Sequence, residues 1–155
     1  MAATLSAGIL LYRRTASGIE VFIAHMGGPF WAGKDAHAWS IPKGEYTAPE
    51  DPFDAARREF REEIGVEAPD VAYVPLGAFR YSSGKTVTVF AAEADLEIER
   101  VMSNTFELEW PPRSGRRQSF PEVDDARWVP IDDASEKLVA GQVPALAALE
   151  RLAAS

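Results

Sequence analysis

Three glutamates on one predicted helix are the residues of this sequence best suited to chemistry. Glu59, Glu62 and Glu63 stand at positions i, i+3 and i+4, so a helix places them on one face. Carboxylate oxygens are the ligands that Mg²⁺ prefers, and such a face can hold one or more hard cations without thiol or imidazole groups. Ions held in this way supply positive charge to an acidic chain and lower the pKa of a bound water.

A solvated helix face is the alternative interpretation of the same carboxylates, with Arg58 and Glu62 forming an exposed ion pair. Against it, Glu59 and Glu63 repel each other at i, i+4. Glu62 and Glu63 also lie in the last turn, where the helix dipole disfavours negative charge by roughly 0.3–1 kcal/mol each. Cations on this face would make these interactions favourable, but the helix alone leaves both interpretations open.

The helix that carries these glutamates is predicted over residues 51–64. Asp51 is a good N-cap, Pro52 suits the first helical position, and Gly65 suits the position just past the end. Apolar residues recur along this segment at three- and four-residue spacing: Phe53, Ala56, Phe60 and Ile64. One face of the helix is therefore expected to pack against a sheet.

The rest of the chain predicts strands, with two short helices at the end. Strands are predicted over residues 7–12, 19–26, 39–42, 71–81, 86–94, 106–110 and 127–130, of which 71–81 and 86–94 form a hairpin. Residues 27–37 and 111–121 are predicted as loops. Helices are predicted over 132–140 and 145–152. This order indicates a mixed α/β or α+β single domain spanning residues 1–155.

Composition narrows the class of protein. The chain has 155 residues and a net charge of −8, whereas a nonspecific nucleic-acid binder is normally basic, so no stable nucleic-acid partner is expected. The absence of cysteine excludes thiolate metal sites and cysteine nucleophiles. No apolar run is long enough to span a membrane and no leader is evident, which predicts a cytoplasmic protein. Monomer and homodimer both remain open.

Residues 44–66 match a known pattern, the Nudix box Gx5Ex7REUxEExGU, in which U is a bulky apolar residue. Gly44 and Glu50 are followed, after seven residues, by the run Arg58-Glu59-Phe60-Arg61-Glu62-Glu63-Ile64-Gly65-Val66. Every defined position is filled. The chain therefore resembles the Nudix hydrolases, and the order of its elements is similar to that family over most of its length.

The resemblance implies a fold, a metal and a set of roles. The fold is an α/β/α sandwich with a mixed β-sheet, here a single Nudix hydrolase domain over residues 1–155. The metal is Mg²⁺, with Mn²⁺ as the alternative, and its ligands are expected to be Gly44, through its carbonyl, and Glu59, Glu62 and Glu63. Glu50 and Arg58 are expected to form a structural ion pair. Glu62 and Glu63 are candidate catalytic residues, because family members differ in which carboxylate is the general base.

Glu122 is the candidate for a further metal ligand or general base outside the box. The segment from Glu122 to Trp128 resembles the corresponding segment of the Nudix branch that includes the dinucleoside tetraphosphate hydrolases. The alternative is a surface glutamate in an acidic loop. Glu107 and Glu109 are weaker candidates, since both are expected to face solvent from a strand.

Basic and aromatic residues supply the candidate contacts to substrate. Lys43 adjoins the metal loop and either contacts phosphate or stabilises the loop. Guanidinium groups suit phosphate, although a basic loop can simply be solvated. Aromatic faces stack on nucleobases. The candidates are Lys43, Lys85, Arg113, Arg116 and Arg117 for phosphate, and Trp31, Tyr81 and Phe30 for a base; Trp39 is expected in the core, and His25 and His37 are expected to be structural.

The function that the resemblance implies is metal-dependent hydrolysis of a phosphoanhydride bond in a nucleoside diphosphate linked to another moiety. Dinucleoside polyphosphates and nucleoside triphosphates are the first choices of substrate. Two alternatives stay open: a catalytically silent Nudix-fold sensor of a nucleotide, and a pyrophosphohydrolase that acts on RNA 5′ ends. The intact set of box carboxylates argues against the sensor, and the acidic net charge argues against the RNA enzyme.

Overall fold

The computed structural model describes residues 5–154 of the chain, in which nine strands and three helices are found. The strands are β1 (Leu5–Thr15), β2 (Gly18–Met26), β3 (Trp39–Ser40), β4 (Lys43–Tyr46), β5 (Val74–Arg80), β6 (Thr86–Glu93), β7 (Thr105–Glu109), β8 (Arg117–Pro121) and β9 (Val123–Pro130). The helices are α1 (Pro52–Ile64), α2 (Ile131–Lys137) and α3 (Val143–Ala154), with a 3₁₀ turn over Ala140–Gln142.

The central strand β1 organises a mixed sheet of seven strands. It runs antiparallel to β2 and β4 and parallel to β6, with Leu5 opposite Thr86 and Tyr12 opposite Glu93. The strand β5 pairs with β6, and β3 and β9 both pair with β2. The strands β7 and β8 form a separate two-stranded sheet.

Both faces of the sheet are covered, which explains the continuous apolar run in β1. Ile9 and Leu11 face one core together with Phe60 of α1. Leu10 and Tyr12 face the other core, which α2 and α3 cover with residues such as Ala134 and Leu149. The predicted α/β/α sandwich with a mixed sheet is therefore confirmed.

The helix α1 begins and ends where its sequence predicts. The Asp51 side chain accepts hydrogen bonds from the backbone N–H groups of Phe53 and Asp54 at 3.0 and 3.1 Å, and Pro52 is the first helical residue. Gly65 ends the helix with a φ of 95°, a conformation in which glycine avoids steric strain. The backbone N–H of Gly65 donates to the Arg61 carbonyl at 2.9 Å.

Several boundaries differ from the prediction, and four of these differences follow from pairing between distant segments. Residues 117–121 were predicted as part of a loop but form β8, which pairs with β7. Residues 43–46 form β4 against β1, although a Lys-Gly-Glu-Tyr run has no strand pattern of its own. The strand β9 begins at Val123 rather than Arg127 because it pairs with β2, and α2 ends at Lys137 rather than Ala140.

In the part of the chain between residues 5 and 154, no helix has both the length and the apolar character needed to cross a membrane.

Candidate active site

The loop before α1 and the helix itself meet at Gly44. A Cβ atom added at Gly44 would overlap the carboxylate of Glu59, so only glycine allows this approach. Glu59 is only 8% exposed, beneath that loop. On the next turn, the Glu63 carboxylate accepts a hydrogen bond from the backbone N–H of Lys43 at 3.2 Å. Two of the three helix carboxylates therefore face the loop rather than open solvent.

Arg58 is the cation that contacts Glu50 and two of the three helix carboxylates. Its guanidinium donates twice to Glu50, each time at 3.0 Å, and also to Glu59 at 2.7 Å and Glu62 at 3.3 Å. The hydrogen bonds raise the pKa of Arg58 and lower the pKa of Glu50. The Glu50–Arg58 pair ties the segment before α1 to the helix.

Glu122 reaches the same region through a series of backbone hydrogen bonds. The N–H of Asn104 donates to the carbonyl of Glu62 at 2.8 Å, and the N–H of Glu122 donates to the carbonyl of Asn104 at 2.9 Å. The N–H of Gly27 in turn donates to the carbonyl of Glu122 at 2.9 Å. The connection between β8 and β9 is thereby held beside the end of α1.

The electrostatics of the site show an excess of negative charge. Burial raises the pKa of Glu63 to about 8, and the nearby carboxylates of Glu59 and Glu122 contribute to the increase. Burial is also the main cause of the raised pKa of Glu59 and of Glu122. Desolvation and like charges both disfavour the ionised form, so a cation bound among these groups would lower all three pKa values.

The donor set fits a hard divalent cation, because carboxylate and carbonyl oxygens are the ligands that such ions prefer. Within the described range 5–154, no three histidine, cysteine or acidic side chains converge as a ready metal cluster. The residues that could hold a divalent cation are Glu59, Glu62 and Glu63, with the Gly44 carbonyl and Glu122 beside them.

Two adjoining clefts open at this region of the molecule. The first, which we call the carboxylate cleft, has a volume of about 280 Å³ and is lined by Glu63, Glu122, Trp31 and Phe106 together with Lys43. A Cβ at Gly28 would crowd the Phe106 ring, so the glycine-rich loop and the β7–β8 hairpin pack closely beside the cleft.

The second cleft, which we call the tyrosine cleft, has a volume of about 310 Å³ and is lined by Tyr81, Ser82, Ser83 and Gly141. Both clefts are lined by Lys43, Ser40 and Met26, so Lys43 lies where the two clefts meet. Burial raises the pKa of Tyr81, so its phenol stays protonated at neutral pH and retains a hydrogen to donate.

The remaining predicted contacts divide into two groups. Lys85 lies near the site, where its ammonium is 3.4 Å from the carboxylate of Glu45 in β4. Arg113 and Arg116 lie in the turn between β7 and β8 and line neither cleft. Arg117, at the start of β8, faces Glu107 at 3.6 Å across the hairpin. The structure thus brings Lys43, Trp31, Tyr81 and Lys85 to the site region but leaves the hairpin arginines outside the clefts.

The aromatic and histidine residues outside the clefts have structural surroundings. Trp39 is buried, and its indole N–H donates to Asp35 at 2.9 Å. Phe30 is exposed and contacts the edge of Trp110. His25 is hydrogen-bonded at both ring nitrogens, to Asp124 and to the Lys34 carbonyl. His37 lies at the Leu138 carbonyl, and Glu107 and Glu109 are exposed on β7, as expected.

Sequence reasoning missed three residues of this region. Phe106 and Met26 line the clefts but belong to ordinary strand patterns, which carry no sign of a site. Gln142 is completely buried beside Tyr81, yet its segment was predicted only as a break between helices. A glutamine in an otherwise apolar C-terminal segment was the one signal available.

A sandwich of this kind, with three carboxylates on the helix that follows a glycine-containing loop, is the architecture of a class of hydrolases that act on phosphoanhydrides. The sequence profile of the NUDIX domain matches residues 3–149. The chain therefore belongs to the Nudix family, and it is an enzyme of the Nudix hydrolase class.

Similar proteins come from several branches. An RNA pyrophosphohydrolase of Bartonella henselae is 28% identical, in an alignment that covers 85% of this chain and 84% of the relative. The Ap4A hydrolase of C. elegans, solved as a binary complex, has a TM-score of 0.68 at 21% identity and covers 96% of this chain and 98% of its own. The NUDIX domain of Shewanella oneidensis NrtR, solved with ADP ribose, has a TM-score of 0.64 at 16% identity and covers 100% of this chain and 90% of its own.

Proposed function

We propose that this chain is a Mg²⁺-dependent hydrolase that cleaves a phosphoanhydride bond in a dinucleoside polyphosphate or a nucleoside triphosphate. The observation that carries the proposal is the pair of clefts that meet at Lys43, with the carboxylates of Glu63 and Glu122 in one of them. Residues 1–155 are proposed to act as one catalytic domain. Mn²⁺ is an alternative ion, because it too accepts carboxylate oxygens.

The two clefts favour the dinucleoside polyphosphate over the triphosphate. A polyphosphate that crosses Lys43 would place one nucleoside in each cleft, with Trp31 beside one and Tyr81 beside the other. A nucleoside triphosphate has only one nucleoside and would fill only one of the two clefts. An Ap4A hydrolase has the same fold, which is consistent with this choice.

The roles of the residues follow from their positions. Lys43 contacts the phosphate chain where the clefts meet, and Lys85 adds positive charge nearby. Glu59, Glu62 and Glu63 of α1 would hold the metal, which would neutralise charge on the pyrophosphate and lower the pKa of a water molecule. A carboxylate of the cleft, Glu63 or Glu122, accepts the proton of the attacking water. The aromatic residues orient the nucleosides.

RNA 5′ ends are the second candidate substrate. The RNA pyrophosphohydrolase of Bartonella henselae is similar over 85% of this chain. The turn between β7 and β8 also carries Arg113 and Arg116 outside the clefts, where a longer phosphate backbone would extend. A silent nucleotide sensor is disfavoured, since every carboxylate of the box is present.

A substrate panel with Mg²⁺ tests the proposal. Dinucleoside polyphosphates, nucleoside triphosphates, ADP-ribose and 5′-triphosphorylated RNA are incubated in ¹⁸O-labelled water, and the labelled product identifies the phosphorus attacked. We expect turnover of dinucleoside polyphosphates to have the largest kcat/KM. Preference for the RNA would favour the second candidate, whereas tight binding of one nucleotide without turnover of any would favour the sensor.

Replacing Glu63 tests the assignment of the site. We expect Glu63→Gln to lower kcat by several orders of magnitude with the fold intact, because the amide keeps the hydrogen bond from Lys43 but loses the charge. Glu67→Gln makes the same chemical change at an exposed residue just beyond α1, outside both clefts, and should retain the wild-type kcat. Near-normal turnover of Glu63→Gln would contradict the metal assignment.

A further inference from the structure

Gln142 places an amide in the core directly behind the two clefts. It ends the 3₁₀ turn before α3 and is completely buried. Its Oε1 accepts a hydrogen bond from the backbone N–H of Ile41 at 2.8 Å. Its Nε2 donates to the hydroxyl of Ser40 at 2.9 Å and to the hydroxyl of Tyr81 at 2.8 Å. All polar atoms of the amide are therefore used.

The direction of these hydrogen bonds is fixed by their partners. The N–H of Ile41 can only donate, so Oε1 of Gln142 must face it and Nε2 must face the two hydroxyl groups. The Ser40 hydroxyl accepts this bond and itself donates to the Ile41 carbonyl at 2.7 Å. The Tyr81 hydroxyl likewise acts as an acceptor toward Gln142, which leaves its own hydrogen for another partner.

The hydrogen of the Tyr81 hydroxyl has no acceptor among residues 5–154. Tyr81 lines the tyrosine cleft, as does Ser40. The Tyr81 ring lies so close to Gly141 that a Cβ at this glycine would overlap it. The turn Ala140–Gln142 thus supports the ring through Gly141 and holds the hydroxyl through Gln142.

We propose that Gln142 is a positioning residue that directs the O–H of Tyr81 into the tyrosine cleft, where it donates to an oxygen of the bound nucleotide. The inference rests on the proposed function, because the acceptor belongs to the substrate. Gln142 itself does not touch the substrate.

A double-mutant cycle between Gln142 and Tyr81 tests this inference. Tyr81→Phe removes the donor, and Gln142→Met keeps an unbranched side chain of similar length but removes all three hydrogen bonds. Each is expected to raise KM for the preferred nucleotide by about three- to tenfold, the effect of one lost hydrogen bond, with kcat within about twofold of wild type. The double variant should have the KM of Tyr81→Phe alone.

Gln142→Glu is the second variant, in case Gln142→Met does not fold. Three donors surround the position, and the two hydroxyl groups can rotate to donate to the introduced carboxylate, so the fold should be kept. The Tyr81 hydroxyl would then donate inward rather than into the cleft. We therefore expect KM to rise as it does in Tyr81→Phe, and no further when the two changes are combined.

Leu149→Ala is the control for loss of stability alone. It removes a buried side chain from α3, in the same core, and leaves all three hydrogen bonds of Gln142 in place. Its KM should equal that of the wild type below the melting temperature. A wild-type KM in the folded Gln142 variants, or an increase that simply adds to that of Tyr81→Phe, would overturn the inference. If the wild-type protein hydrolyses no nucleotide, the proposed function fails instead.

Discussion

Gly44 leaves space for a carboxylate that any larger residue would displace. The loop passes over Glu59 so closely that a Cβ at Gly44 would overlap its carboxylate. Glu59 is meanwhile held by Arg58 at 2.7 Å. The box glycine therefore has a steric reason in this chain: it allows the backbone carbonyl and the buried glutamate to approach the same point.

We predict that Gly44→Ala weakens activation by Mg²⁺ at least tenfold, because the added methyl group displaces Glu59 from the loop. Titration of activity with Mg²⁺ measures the effect. Gly18→Ala is the control: its φ of 134° makes this change costly to the backbone, but nothing lies within 4 Å of its Cβ and it is outside both clefts. An unchanged Mg²⁺ requirement in Gly44→Ala would show that Glu59 is not a ligand.

Arg58 contacts two of the glutamates that are proposed as metal ligands. Its guanidinium contacts Glu50, Glu59 and Glu62 in the structure. The bidentate pair with Glu50 anchors the loop, whereas the contacts with Glu59 and Glu62 each use one carboxylate oxygen. The second oxygen of each of these two glutamates remains available to a cation.

At the scale of elements, α1 is positioned by its ends as much as by its packing. Asp51 caps the first turn, and Gly65 ends the last turn close to Met102, where a Cβ would lie 2.7 Å from the Met102 carbonyl. Phe60 and Ile64 are fully buried against the sheet. The cap fixes the start of the helix, and the apolar stripe fixes its rotation, so the glutamates face the loop.

We predict that Asp51→Ala lowers the free energy of unfolding by about 1 kcal/mol, because two backbone N–H groups lose their acceptor. Urea unfolding measures the loss. Asp54→Ala is the matched comparison: Asp54 is exposed in the first turn, and its side chain forms no hydrogen bond or ion pair with residues 5–154. Loss of its favourable interaction with the helix dipole should cost roughly 0.3–1 kcal/mol. If Asp51→Ala were as stable as the wild type, the Asp51 side chain would not stabilise α1 by capping it.

The elements that sequence predicted are those with local signals. The helix α1 has its cap, its proline and its stripe within residues 51–65, and β1 and β2 are apolar runs of their own. The strands β4 and β8 lack such signals and exist because β1 and β7 pair with them. Boundaries set by a distant partner strand are not encoded in the segment itself.

The same distinction applies to the site. The box motif predicted Glu59, Glu62 and Glu63 from spacing alone, whereas the place of Glu122 depends on backbone hydrogen bonds through Asn104. Gln142 belongs to no motif, and its proposed role depends on a contact with Tyr81, which lies in the connection between β5 and β6. Contacts between segments far apart in sequence are therefore the part that the structure adds.

At the scale of the whole molecule, an acidic chain concentrates further negative charge in one region. The net charge is −8, and Glu63 is half-buried near Glu59 and Glu122. At neutral pH the fold without a bound cation therefore keeps a proton on Glu63 that the unfolded chain releases. Binding of the proposed metal and binding of a proton would thus be alternative ways to stabilise the same fold.

We predict that the metal-free protein loses stability as pH rises from 6 to 8. The pKa of Glu63 is raised from 4.5 to about 8 in the fold, so its contribution to stability is complete below 4.5 and is lost as pH rises through 8. The slope from this one group is at most about 1.4 kcal/mol per pH unit. Urea unfolding in EDTA at pH 6, 7 and 8 measures it.

Glu63→Gln should flatten this dependence, because the amide does not titrate, while Glu67→Gln should retain the wild-type slope. Mg²⁺ should stabilise the wild-type protein more at pH 8 than at pH 6, since at pH 6 it must displace a proton from Glu63. It should stabilise Glu63→Gln much less at either pH. If the pH dependence of stability remained in Glu63→Gln, it would come from the titration of another group. The link between Glu63 and metal binding would then be contradicted.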